Sequence, residues 1–234
     1  MTEFRCDGYK FYHGTSTIFL DSIKKTGLGT INPNIDLKLL DVLRVLYTQV
    51  KSAGVKDQQL SIWEDAIRAT VAQTDLIYNN GLKLNFRHDG IYISASHMRA
   101  AIYALNKYGS EVLEKCIMLL ETLERHHVAV EIPPEIDLFD VRNYLHAEPK
   151  PIIIEVLQID DDDLDKEDGK TAAEALIFLR NIIPTLSEKE KFEFLQFCNF
   201  KILKAVPPEK LRFYAMDFEG HPKTGDFKIY LSKI

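Results

Sequence analysis

Two short runs carry side chains suited to binding chemistry. One is Tyr12-His13-Gly14-Thr15; the other is Gly90-Ile91-Tyr92-Ile93-Ser94, with a second tyrosine, Tyr103, eleven positions after Tyr92. A histidine at a strand end offers a ring donor and a ring acceptor, and a following glycine lets the backbone come close to a ligand. Paired tyrosines can clamp a planar ring between them, at about 0.5–1.5 kcal/mol per well-placed aromatic pair. A third position, Asn199, opens the apolar run Asn199–Val206. Its amide can bond a hydroxyl, but it has no charge with which to stabilise a cation or take a proton. Each residue also has a plain structural reading: His13 caps a strand, Gly14 makes a turn, and the tyrosines pack in a core.

The remaining reactive side chains form weaker patterns. Cys6, Cys116 and Cys198 are far apart and odd in number, which suits a reducing interior and not a disulfide framework. Cys198 has no activating base that the sequence can name, so a buried thiol is expected. His126, His127 and His146 lack zinc-ligand spacing, and no metal site is expected. Asp160–Asp163 with Asp165 has a calcium-loop composition without its glycine and distal glutamate, and reads as a solvated acidic turn. A net charge of −6 argues against non-specific nucleic-acid binding. No apolar run reaches the roughly 20 residues of a membrane span and the start has no signal-peptide pattern, so a cytoplasmic protein is expected, in its own cell or in a host.

The elements that must hold these residues can be read from periodicity. Phe11–His13 predicts a strand and Ile18–Lys25 a helix, closed by Gly27. Helical spacing recurs over 36–53 (Leu39, Leu40, Leu43, Leu46) and 60–78 (Ile62, Ala66, Ile67, Val71), and Asn79-Asn80-Gly81 breaks it. Gly90–Ser94 predicts a strand, followed by helices over His97–Tyr108 and Ser110–Glu124. Pro151–Ile159, β-branched without alternation, predicts a fully buried strand, and 160–169 an exposed acidic loop. Helices follow at Ala172–Asn181 and Ser187–Phe197, the second with Ser187 and Glu190 placed as a capping box. Strands at Phe200–Ala205, Leu211–Asp217 and Phe227–Leu231 close the chain. The fold class is α+β, a split and largely antiparallel β core with helices and a helical insertion at about 36–80.

The same residues resemble the ADP-ribosyltransferase superfamily in its poly(ADP-ribose)-polymerase-like and diphtheria-toxin-like branch. That branch carries His-Gly-Ser/Thr followed without gaps by an isoleucine and Gly-Leu, matched here by His13-Gly14-Thr15, Ile23 and Gly27-Leu28. It then carries Gly-Ile/Val-Tyr-Phe/Leu-Ala/Ser with a tyrosine eleven residues later, matched by Gly90-Ile91-Tyr92-Ile93-Ser94, with Ile93 in the fourth place, and by Tyr103. The resemblance implies a single ADP-ribosyltransferase-like domain that uses NAD as substrate. His13 bonds a ribose, the Gly14 backbone holds the nicotinamide carboxamide, Tyr92 and Tyr103 clamp the ring, and Thr15 and Ser94 complete the cofactor site. The catalytic trio becomes His13, Tyr92 and Asn199, with Asn199 where the family has glutamate at the head of its last active-site strand. Val206-Pro207-Pro208 fits the turn that follows that strand. A family serine that contacts the carboxamide maps to Ala100, and Glu193 is a candidate replacement acid. The implied activity is mono-ADP-ribosylation of a macromolecular acceptor, a protein in preference to nucleic acid. The alternatives are a weak or inactive NAD- or ADP-ribose-binding module, or an RNA 2′-phosphotransferase-like enzyme. The last carries His-Leu-Ser where this chain has Tyr92-Ile93-Ser94, together with a basic N-terminal domain, expected to be absent here.

Overall fold

The computed structural model of the chain describes residues 10–77, 81, 83–166, 172–195, 197–222 and 227–234. In chain order the elements are β1 (Phe11–Ser16), α1 (Thr17–Thr26), α2 (Leu39–Ser52), α3 (Gln58–Ala72), β2 (Asp75–Ile77), β3 (Lys83–Asn85), β4 (Tyr92–Ser94), α4 (His97–Ala104) and α5 (Glu111–Arg125). They continue with β5 (Pro151–Val156), β6 (Leu164–Lys166), α6 (Ala173–Ile182), α7 (Glu188–Leu195), β7 (Asn199–Ile202), β8 (Leu211–Glu219) and β9 (Lys228–Lys233). They form two compact units. One comprises the residues up to Thr30, Gly90–Gly109 and Pro149–Ile234; the other comprises Ile31–Asp89 and Ser110–Glu148.

The first unit is built on a seven-stranded sheet in the order β6-β7-β4-β1-β5-β8-β9, with every neighbouring pair antiparallel. β5 sits near its middle with Ile152–Val156 all buried, because clusters cover both faces. Ile152, Ile154 and Val156 pack with Phe11, Ile93, Phe200 and the α6 residues Leu176 and Leu179. Ile153 faces the other way, with Tyr12, Met216 and the α4 alanines Ala100, Ala101 and Ala104. The buried strand read from composition is therefore confirmed over Pro151–Val156, although its neighbours are antiparallel.

Glycine ends α1 as expected. Gly27 takes φ 93°, a left-handed value that side chains resist, and its N–H donates to Ile23 O at 2.8 Å. Leu28 then exchanges two backbone bonds with Val206, at 2.9 and 2.8 Å. The Gly-Leu of the first motif and the Val-Pro-Pro of the last thus share one bridge.

The second unit packs α2, α3 and α5 around Leu39, Leu43, Leu46, Ile67, Val112, Leu113, Ile117 and Leu120, all fully buried. The helix expected over 60–78 stops at Ala72, where Gln73 turns left-handed (φ 52°), and Asp75–Ile77 instead pairs with Lys83–Asn85 as a hairpin. Tyr78, Asn79 and Asn80 lie outside the described residues, as does Cys6. In the first unit the acidic loop is also partly corrected. Asp161–Asp163 forms a single 3-10 turn, and Leu164–Lys166 is an edge strand on β7. The capping box stands: Ser187 and Glu190 exchange bonds of 2.6, 2.8 and 3.4 Å at the head of α7. Among the described residues no helix is long and apolar enough to cross a membrane.

Candidate functional site

The three motifs, with Asn199 lying 186 positions after His13, fall on the adjacent strands β1, β4 and β7. Their register forms a transverse row: Asn199 opposite Ser94, Ser94 opposite Tyr12, Tyr12 opposite Glu155, and Glu155 opposite Arg212. Alternation places Tyr92, Ser94 and Asn199 on the Tyr12 face of the sheet, since Ile93 and Phe200 belong to the opposite cluster. That face is the one α4 covers.

Between β1 and β4 the sheet opens. A single registered pair, Tyr12 with Ser94, joins the two strands. Ile202 N–H donates to Ile91 O, and Ala95 N–H to Cys198 O, each at 2.9 Å. The peptide groups of Tyr92 and Ser94, between them in the alternation, therefore point toward β1. Just past β1, Thr17 N–H donates to Lys150 O at 2.9 Å, so odd-numbered residues of β1 address β5, and Tyr12 and Gly14 address β4. Continuing the ladder would set Gly14 opposite Tyr92. Instead the Tyr92 carbonyl accepts from His13 Nδ1 at 2.8 Å. The strands part there, and the Gly14 N–H and C=O face the gap.

His13 is held in one state. Burial pushes its pKa below the usual 6.5, and the bond to the Tyr92 carbonyl opposes this in part. A carbonyl only accepts, so Nδ1 carries the proton, and the neutral ring presents Nε2 as an acceptor.

Gly14 is a glycine because α4 lies on it. A Cβ there would come within 1.8 Å of Ala100 O and 2.9 Å of Ala104 N. Ala101 joins Ile153 and Met216 on the β5 and β8 side. At 100° per residue, Tyr103 then falls on the opposite flank, over the gap. Arg99 shares that flank, its guanidinium 4.8 Å from the Tyr103 ring centroid and its Nη2 donating to the Tyr103 hydroxyl at 3.1 Å. Ser96 caps the helix by accepting from Arg99 N–H at 3.2 Å, and Ser94 Oγ accepts from Ser96 N–H at 3.2 Å.

Gly14, Tyr92 and Tyr103 thus border the opening on the α4 face, with Asn199 in the neighbouring row, while His13, paired with Ile154 on the opposite face, borders it through its bond to the Tyr92 carbonyl. Thr15 and Ser94 each have a hydroxyl oxygen engaged by the neighbouring backbone. Thr15, 2% exposed, donates to Gly109 O at 3.0 Å, and Ser94, 3% exposed, is taken up by the α4 turn. Glu193 is an exposed residue of α7 facing Lys189 at 4.0 Å, so it supplies no acid to the row. The Cys198 thiol, pushed up to about 11 by burial, donates to Phe194 O at 3.6 Å and is no nucleophile.

Sequence reading missed two groups. Glu155 is the one charge in the run Pro151–Val156. It is 3% exposed and bound by Lys10 at 2.6 Å, Tyr214 at 2.7 Å and Arg212 at 3.4 Å. Burial pushes its carboxyl up, but Lys10, Tyr214 and Arg212 together hold it below the usual range. A lone acid in an apolar β-branched run was the available signal. The second group is Arg99, four residues before Tyr103 and so on the same helix face. Among the described residues no cluster of three metal-ligating side chains occurs. Comparison with known proteins returns no match, whether to family models, curated sequences or solved structures.

Proposed function

We propose that the opening between β1 and β4 binds NAD and that the chain transfers a single ADP-ribose to a macromolecular acceptor, a protein in preference to nucleic acid. One observation carries this reading: the Gly14 N–H and C=O face the gap side by side, with Tyr92 and α4 on one face of the sheet and His13, bonded to the Tyr92 carbonyl, on the other. An amide plane needs one donor and one acceptor in register, and Gly14 offers both to the nicotinamide carboxamide. The tyrosines supply stacking area for its ring, and His13 Nε2 accepts from a ribose hydroxyl. In the reaction the bond from ribose C1′ to the nicotinamide nitrogen breaks, and its electron pair leaves with neutral nicotinamide. An acceptor oxygen or nitrogen bonds C1′ and loses its proton to water. Asn199 bonds the ribose in the place of a carboxylate, and the cationic ribose is stabilised by an acid that the acceptor brings.

A second reading follows from Asn199 and Ala100. Both lack the groups that the resembled family uses, which favours a module that holds NAD without turnover. Incubation with labelled NAD and lysate separates the two. Label on a protein, or released nicotinamide, lost in His13→Ala and Tyr92→Ala, supports transfer. Thermal stabilisation by NAD without label supports the module. Labelling that persists in both variants removes the site.

A further inference from the structure

Arg99 lies against the ring that is to stack on the nicotinamide. Its guanidinium stands over Tyr103 at 4.8 Å and donates to the phenol oxygen, while its Nε is buried with no hydrogen-bond partner among the described residues. The ring quadrupole that would attract a cation is thus already engaged by a cation, and guanidinium keeps its charge at any working pH. Nicotinamide carries a positive charge while joined to ribose and none after it leaves. A fixed positive charge one ring away treats these two states differently.

Resting on the NAD reading above, we propose that Arg99 makes the pocket selective for the uncharged nicotinamide ring over the pyridinium, so that the site favours the leaving group over the bound substrate. As the C1′–N bond lengthens, its electron pair moves onto the ring nitrogen and the positive charge moves to the ribose, away from Arg99. Binding energy from the rest of the dinucleotide holds the disfavoured ring in place, and its release contributes to bond breaking. Arg99 acts through Tyr103 and the local field, as a positioning and specificity residue.

Two small probes test this without any acceptor: nicotinamide, which is neutral, and 1-methylnicotinamide, a permanent cation of nearly the same shape. Calorimetric titration of the full chain is expected to show nicotinamide binding at least tenfold tighter. In Arg99→Gln the ratio collapses toward one, mainly because the cation gains affinity, and in Arg99→Lys much of the ratio returns. With NAD as substrate, Arg99→Gln lowers KM and kcat together. Exclusion of the methyl group by shape alone would leave the ratio unchanged in Arg99→Gln, and that result overturns the proposal while the pocket stands. Equal binding of both probes to the native chain overturns it in the same way. Failure of nicotinamide to bind the native chain overturns the NAD reading and this inference together.

Discussion

His13 and Gly14 are adjacent in sequence but answer to different forces. Gly14 is fixed by packing. Gly14→Ala drives a methyl into the Ala100 carbonyl at 1.8 Å, so β1 and α4 must separate. The expected cost is about 3 kcal/mol, or a fall of about 6–12 °C in Tm for a chain of this size, read by calorimetry. His13 is fixed by protonation. Its pKa is held below 6.5 by burial, so the neutral ring persists from neutral pH into mild acid. Once protonated, Nε2 becomes a donor and can no longer accept from a ribose hydroxyl. NAD affinity is therefore expected to be flat above pH 6.5 and to fall as pH drops through the depressed His13 value. His13→Ala should bind about tenfold more weakly at pH 7.5 and lose that pH dependence. Titration calorimetry at several pH values checks both.

Strand register is what turns separate motifs into one site, and it was only partly legible in the sequence. The strands at Phe11, Tyr92 and Phe200 could be read from β-branched and aromatic runs, and the helix caps at Gly27 and Ser187 from composition. That β4 would lie between β1 and β7, with Asn199, Ser94 and Tyr12 in one row, depends on long-range pairing that no local pattern encodes. The edge strand Leu164–Lys166 was hidden because its aspartate and lysine read as loop, yet an edge strand tolerates charge on its open side. The bonds of Thr15 and Ser94 were illegible for a related reason. Hydroxyls beside a pocket motif look like ligand contacts until the backbone carbonyl and N–H that they satisfy are known. The row makes a direct prediction for β7. Asn199→Glu places a carboxylate beside Ser94 on the α4 face, where it can stabilise a cationic ribose. NAD hydrolysis, followed by nicotinamide release, is expected to rise by about a hundredfold. An unchanged rate would put residue 199 outside the reacting centre.

At the scale of the whole molecule, the two units can be followed separately because the chain's single tryptophan, Trp63, lies on α3 in the second unit. That unit also holds a histidine, His88, whose side chain is 17% exposed. Burial pushes the His88 pKa down to about 4 against a partial upward pull from Glu111, and Nε2 has no hydrogen-bond partner among the described residues. An unfolded chain protonates this residue near 6.5, well before the folded one does. As pH falls, the unfolded state therefore takes up the proton first, and stability drops between 6.5 and 4. The change is fully developed only below 4, but at pH 5 it should already amount to about 2 kcal/mol relative to pH 7. Restricting the comparison to pH 7 and pH 5 keeps it clear of Asp57, whose carboxyl is held near 2 by the Leu60 N–H and Arg125 and titrates lower still. Urea unfolding followed by Trp63 fluorescence should show a lower midpoint at pH 5. His88→Gln should remove most of that difference, because a neutral amide meets the same surroundings at either pH. If the midpoint falls equally in both proteins, the acid sensitivity of the second unit comes from its surface charges and not from the His88 ring.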